Sequence, residues 1–350
     1  MSYCAGAALR RVFFGKGVRQ MRFFPVLLVL TLAGWCMPGS ADAAGAEAVA
    51  PSSTLPSASV PMTRQIDFQS QVNGRHYRIQ IALPFAEAPA AGFPVIYVLD
   101  GDGYFGTWSF AARMRADSGE LEHAVVVGIG YPESASSLDA MMGRRMSELV
   151  PSIDPAEATL MSAVPGAGKP YAGADDLLKI LHEEVPARVK TVVAIDQTRS
   201  TLFGHSLGGL FALHALFSHP EYFRTYLILS PSIWWNERSV LAGRAAFLDR
   251  VARGEVAPRV YLSVGSLEQP DPAEPLKEKL PPGMTEAEAR QFVARAAMVD
   301  NTRDMLQVLQ IPGSPAGYEV KGRVVPGETH MSVAWAALND MLGFALPPRD

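Results

Sequence analysis

The sequence predicts an α/β fold with a mostly parallel central sheet and helices on both of its faces. Three observations carry that expectation. Short continuous apolar runs recur at 95–99, 124–129, 201–203, 226–229 and 260–264, each closed by Gly, Asp or Ser, as in strands buried on both faces. Helical patterns fall between them, at 174–189, 207–217, 239–251 and 286–309. Their alternation is what a parallel sheet joined by crossover helices requires.

Taken in order, the chain opens on Arg10, Arg11, Lys16, Arg19 and Arg22, followed by an apolar run from Phe23 to Cys36 and a small-x-small site at Ala41-Asp42-Ala43. Residues 1–43 are therefore expected to be an export signal, with Met21 as an alternative start and an uncleaved anchor as the alternative reading. The run is too short and too soon interrupted for a membrane span, and the mature chain is expected to begin near Ala44 with no stable span. Cys4 and Cys36, the only cysteines, both lie in this segment. The mature protein would then hold no disulfide, no cysteine nucleophile and no thiolate metal site. A periplasmic or secreted location follows.

Residues 44–61 are rich in Ala, Ser and Pro and read as a flexible linker, leaving 62–350 as one folded domain. A chain of 350 residues with 48% hydrophobic content can bury a sizeable core. Its net charge of -4 comes without a basic stripe, which excludes a nucleic-acid partner. Residues 75–83 alternate polar and apolar side chains and suggest an antiparallel strand at a sheet edge. A last strand at 318–325 precedes a final helix at 331–346. Two stretches break the alternation, Tyr131 to Gly173, rich in Pro, Gly and Ser, and the shorter Gln269 to Gly283, rich in Pro. They emerge at the carboxyl ends of strands, where open α/β sheets bind ligands, and are the expected walls of a substrate site.

The chemistry centres on Gly204-His205-Ser206-Leu207-Gly208-Gly209, which follows one apolar strand and opens a helix. A sharp strand-to-helix turn exposes the serine hydroxyl, and glycine two residues to either side removes the clash that the turn creates. This is the nucleophile elbow of the α/β-hydrolase fold, with Ser206 as nucleophile. The base comes last in the chain order of such enzymes, and His330 stands after the final strand, in a loop that opens a helix. His214 and His219 lie in or at the end of the elbow helix, His205 is the variable residue of the elbow, and His76, His123 and His182 precede it. The acid is expected between them, after the strand 260–264, where Glu268 is the candidate and Asp271 stands close enough to compete. Asp196 precedes the nucleophile strand and reads as structural, capping a turn with Arg199.

An oxyanion hole needs two backbone amides. One is expected from Leu207, directly after the nucleophile, and the other from Asp102 in the Asp100-Gly101-Asp102-Gly103 turn. Asp100 and Asp102 lack a histidine or a third acid at useful spacing, so no metal and no other cofactor is expected.

The segment Ser200-Thr201-Leu202-Phe203-Gly204-His205-Ser206-Leu207-Gly208-Gly209, followed by Ser230-Pro231-Ser232-Ile233-Trp234-Trp235, resembles the esterase D and siderophore-esterase branch of the α/β hydrolases. That branch includes the ferric enterobactin-type trilactone esterases and is related more distantly to mycolyltransferases. Tyr97 to Gly101 and Val264 to Glu268 match further family segments, so the resemblance spans roughly 64–346. It implies an oxyanion amide at Asp102 and, because many members carry a Glu at the position of Glu268, a full triad rather than the Ser-His dyad of some siderophore esterases. One departure stands out: the family's Asp-Tyr-Thr-Pro stretch is replaced here by Gly143-Arg144-Arg145-Met146-Ser147-Glu148-Leu149-Val150-Pro151. Arg144 and Arg145 are expected to bind an anionic substrate, with a solvated charge pair as the alternative. Trp234 and Trp235 are expected to give the pocket at least one aromatic wall. The reading is a serine esterase acting on a small-molecule ester, with a siderophore trilactone first. A general acyl or feruloyl esterase, an acyltransferase and a non-catalytic binding protein are the alternatives.

Overall fold

Eight strands form one sheet in the order β1-β2-β4-β3-β5-β6-β7-β8 in a computed structural model that describes residues 59–132, 138–155, 158, 172–274, 276 and 285–348. The expected signal segment and most of the linker lie outside the described residues. The strands are β1 Thr63–Gln69, β2 His76–Ala82, β3 Phe93–Val98, β4 Val125–Gly130, β5 Ile195–His205, β6 Thr225–Leu229, β7 Arg259–Gly265 and β8 Glu319–Val325. β2 pairs antiparallel with β1 and with β4, and every other pairing is parallel. The alternating segment at 75–83 therefore is not the sheet edge. β1, whose own side chains alternate between half-buried and exposed, covers it.

The continuous apolar runs behave as two-sided burial demands. Every residue of β3, β4 and β6 is buried. One face packs Tyr77, Phe211, Trp235 and Phe247, and the other packs Trp108, Phe203, Tyr261 and Met341. The helices that cover these faces are α1 Gly101–Asp117, α2 Leu138–Glu148, α3 Ala174–Lys179, α4 Leu207–Ser218, α5 Arg244–Ala252, α6 Glu286–Ala296, α7 Met298–Leu309 and α8 Leu338–Ala345. α3 continues through a π-helical turn, Ile180–Glu184, into Val185–Val189. Among the described residues, no helix is long and apolar enough to cross a membrane.

The structure departs from the sequence reading at several helices. α1 starts directly after Asp100, where only a turn was expected. Its glycines hide it from periodicity, yet Gly101 is required, because a Cβ there would lie 2.6 Å from the Ile129 amide nitrogen. α2 sits inside the stretch expected to be a loop. The long pattern at 286–309 is two helices, broken where Ala297 adopts φ 43. The final helix likewise divides into Val333–Ala336 and α8. All four changes fall at or beside the carboxyl ends of strands, where loops are shaped by the site they build.

Candidate active site

Ser206 joins β5 to α4 with φ 61 and ψ −116, a backbone conformation that a residue with a side chain rarely adopts. Neighbouring groups hold it there. Its N–H donates to the Leu229 carbonyl at 3.0 Å, and its own carbonyl accepts from Leu210 at 3.0 Å and from Ser232 at 3.1 Å. Two glycines of the motif are steric requirements: a Cβ on Gly204 would lie 2.0 Å from the Gly208 carbonyl oxygen, and one on Gly209 would lie 2.8 Å from that of Leu229. The strain therefore belongs to a turn that two strands and a helix determine together. Leu207 opens α4 and Asp102 sits in the first turn of α1, and amides in a first helical turn have no intrahelical acceptor.

On one side of Ser206 the loops after β7 and β8 are stitched to each other. Leu267 donates to the Glu328 carbonyl at 2.9 Å, and Gly327 donates to Ser266 Oγ at 2.9 Å. Gly265 permits that closeness, since a Cβ there would lie 2.4 Å from the Glu328 carbonyl oxygen. The stitching brings His330 Nδ1 to 2.6 Å from Glu268 Oε2. The other carboxylate oxygen accepts from Ser230 Oγ at 2.6 Å and from the Gly265 amide at 2.7 Å. An ionised carboxylate can only accept, so Nδ1 carries the proton and Nε2 keeps a lone pair. The Glu268 side chain is 1% exposed and that of His330 15%, so the acid is dry and the imidazole reaches solvent. Asp271, the competing acid, is exposed and accepts from the Ala273 amide within its own loop.

On the other side lies a second network. Arg145 Nε donates to Asp100 Oδ1 at 2.8 Å, and its Nη2 donates to the His205 carbonyl at 3.1 Å. One guanidinium thus ties the end of β3 to the residue before Ser206. Burial opposes the charge on Arg145, but Asp100 outweighs it and holds the guanidinium above its usual range. The His205 ring is buried, shares a 2.8 Å hydrogen bond with the Tyr104 hydroxyl, and lies 4.6 Å from the ring of His330. Burial first, then the charges of His330 and Arg145, push its pKa well below the ordinary imidazole value. A ring lowered in this way adds no positive charge beside His330 at neutral pH.

The structure gives the expected substrate contacts these surroundings. Arg145 is committed to Asp100 under the elbow. Arg144 pairs with fully buried Glu148 at 2.9 Å and donates to the His76 carbonyl at 3.0 Å, lying over the rings of Tyr77 and Tyr131. Trp235 is 1% exposed, with its indole N–H on the Ser152 carbonyl, and so is a core residue. Trp234 is half-buried and packs edge-on against Phe292. Asp196 lies within β5 and accepts from the Thr198 amide and hydroxyl, while Arg199 pairs instead with Glu122. Among the described residues no group of acids, histidines or cysteines could hold a metal ion. Sequence reasoning gave no role to Ser230, which it quoted within a motif, or to Tyr104 and the His205 ring. The positive φ of Ser230, which aims its hydroxyl at Glu268, leaves no periodic signal.

Comparison with known proteins adds an independent finding. The profile of the Esterase family matches residues 70–301. The ferri-bacillibactin esterase BesA of Bacillus subtilis is 30% identical over 83% of this chain and 91% of its own. A siderophore enterobactin esterase of Emericella nidulans is 33% identical over 77% of this chain and 88% of its own. Among solved structures, the siderophore hydrolase EstB of Aspergillus nidulans superposes with a TM-score of 0.66 at 30% identity, covering 84% of this chain and 100% of that one. The BES protein of Bacillus cereus gives a TM-score of 0.65 at 31% identity, covering 83% and 98%.

Proposed function

The chain belongs to the Esterase family, and on that premise we propose that it hydrolyses a siderophore ester of the trilactone kind, in the periplasm or outside the cell, with Ser206, His330 and Glu268 as its catalytic residues. The single observation that carries the site assignment is the 2.6 Å hydrogen bond from His330 Nδ1 to buried Glu268, beside a serine strained into an elbow. His330 Nε2 removes the proton from Ser206 as its oxygen attacks the ester carbonyl. The Leu207 and Asp102 amides hold the oxyanion, and the amino terminus of α4 adds a positive potential there. Collapse of the tetrahedral adduct expels the alcohol, which takes its proton from His330. Water then repeats the sequence on the acyl-enzyme. Glu268 fixes the imidazole tautomer throughout and stabilises the imidazolium.

The substrate assignment rests on the printed activities of the relatives together with the family resemblance at the elbow and the Ser-Pro-Ser-Ile-Trp-Trp segment. Export rests on the basic flank, apolar run and small-x-small site of residues 1–43. The test is hydrolysis of a ferric trilactone siderophore and of p-nitrophenyl butyrate by the mature protein and by Ser206→Ala. Trilactone cleavage that falls at least about 10⁴-fold in the variant is expected. Butyrate turnover with an intact trilactone would turn the assignment to a general acyl esterase. The mass of the chain recovered from a cell fractionation checks cleavage near Ala44.

A further inference from the structure

The end of the sheet away from the elbow holds a cavity that the catalytic steps above do not use. Its volume is about 270 Å³, and its walls include Arg199, Arg224, Arg259 and Glu122, with Pro347 and Pro348 from the segment after α8. Strand pairing brings the three arginines together. Thr201 stands opposite Thr225 and Thr225 opposite Arg259, and the Arg259 amide donates to the Arg224 carbonyl at 2.9 Å. Ser206, Ser230 and Glu268 follow the opposite ends of the same strands, β5, β6 and β7. β6 alone runs for five residues, about 16 Å at the usual rise, so the cavity stands apart from the reacting centre.

The charges around this cavity do not balance. Glu122 pairs with Arg199. Glu319 accepts from Arg259 Nη2 at 2.8 Å and from Lys321 Nζ at 2.6 Å, so one carboxylate serves two cations. Arg224 bonds no carboxylate among the described residues: its Nη1 donates to the carbonyls of Ala257 and Gly317. A carbonyl satisfies an N–H but cancels no charge. Four cations therefore face two carboxylates. Burial first, then the charge of Arg259, lowers the pKa of Arg224 against the attraction of Glu319. Half-buried like charges held together in this way are costly unless an anion reaches them.

We propose that Arg199, Arg224 and Arg259 form a binding site for a small molecule that carries linked phosphate groups, separate from the esterase centre. Three guanidinium groups on three strands suit a tetrahedral oxyanion, which offers three or four acceptor oxygens at once where a carboxylate offers two. A water's share of the liquid is about 30 Å³, so the cavity has room for a group larger than a single phosphate. The ligand supplies the negative charge that Arg224 lacks. It binds the folded chain and not the unfolded one, because the three strands must be paired to bring the arginines together.

The test titrates pyrophosphate, inorganic phosphate and citrate into the folded protein by calorimetry, in an amine buffer at fixed ionic strength. One pyrophosphate per chain with Kd below about 1 mM is expected, with a melting temperature that rises as its concentration rises. No heat and no melting shift up to about 10 mM pyrophosphate overturns the site. Inorganic phosphate should bind more weakly, and equal binding overturns the linked-phosphate ligand. Citrate should bind at least about tenfold more weakly, and equal binding overturns the choice of phosphate over carboxylate. Arg224→Gln and Arg199→Gln change two different strands, and each should weaken pyrophosphate about tenfold. Arg303→Gln, at an exposed pair on α7, removes the same charge and should leave the affinity as it is. Melting without ligand checks that each variant folds, and either cavity variant alone decides the outcome. Parental affinity in a folded cavity variant, or an equal loss in Arg303→Gln, overturns the assignment.

Discussion

Asp100 leaves the carboxyl end of β3 and Glu268 that of β7, so two carboxylates approach the elbow from opposite sides of the sheet. Both are largely shielded, with side chains 13% and 1% exposed. Their partners set them apart. Glu268 faces an imidazole that is partly open to solvent and can take up a proton. Asp100 faces a guanidinium that never releases one, and that guanidinium also holds the His205 carbonyl. The first pair can cycle through charge states during a reaction, and the second fixes the distance between two loops. Arg145 also cancels a negative charge close to α4, since Asp100 Oδ2 lies 3.4 Å from where a Cβ on Gly208 would stand. Without it, that carboxylate would oppose an oxyanion held by the proposed Leu207 and Asp102 amides.

The comparison breaks first at Glu268. Glu268→Gln keeps the shape and removes the charge that sets the imidazole tautomer, so kcat should fall by about 10³ to 10⁴. Asp271→Asn should stay within about twofold, because Asp271 bonds only its own loop. Equal losses in the two variants would return the acid to the choice that sequence alone left open. On the other side the loss should appear in stability. Arg145→Met leaves half-buried Asp100 without its partner, at a cost of up to about 3–5 kcal/mol in a denaturant titration. The double change Asp100→Asn with Arg145→Met should recover most of that. A single variant as stable as the parent would show that the pair is not a clamp.

The legible parts of this molecule are those that repeat or that depend on sterics within a few residues. Two-sided burial gave away the inner strands 95–99, 124–129 and 226–229. The elbow is readable because Gly204 answers a clash with Gly208 inside the same turn, a pattern visible in adjacent letters. His330 was reachable by position in the chain. What stayed hidden depends on long-range closure. β1 takes the edge beyond β2 only because the antiparallel pair continues, and α1 is masked by its glycines, of which Gly101 serves a close contact with β4. Arg145 and Trp235 look like substrate contacts in a sequence, since charge and aromaticity near a loop read alike whether they face the ligand or the core. Their partners, Asp100 and the Ser152 carbonyl, lie 45 and 83 residues away.

A smaller effect separates the two sides by pH. His205 is buried between the networks, and its pKa is pushed well below the ordinary value by burial, with His330 and Arg145 repelling a further charge. In the unfolded chain it would take up a proton near its ordinary pKa of about 6.5, and in the folded chain it would not. Below that pH the unfolded state binds the extra proton, so stability must fall as pH drops from about 6.5 toward 5, by at most about 1.4 kcal/mol per pH unit for this one site. His182, stacked 3.7 Å from the ring of Tyr222 and also lowered by burial, adds a share of the same sign. His205→Gln offers the Tyr104 hydroxyl a polar partner that does not titrate, so the slope of stability against pH in this window should flatten while the portion due to His182 persists. Chemical denaturation at half-unit pH steps reads the difference. An unaltered slope would mean that His205 takes up a proton in the folded protein as readily as in the unfolded chain, and its lowered pKa beside His330 would have to be given up.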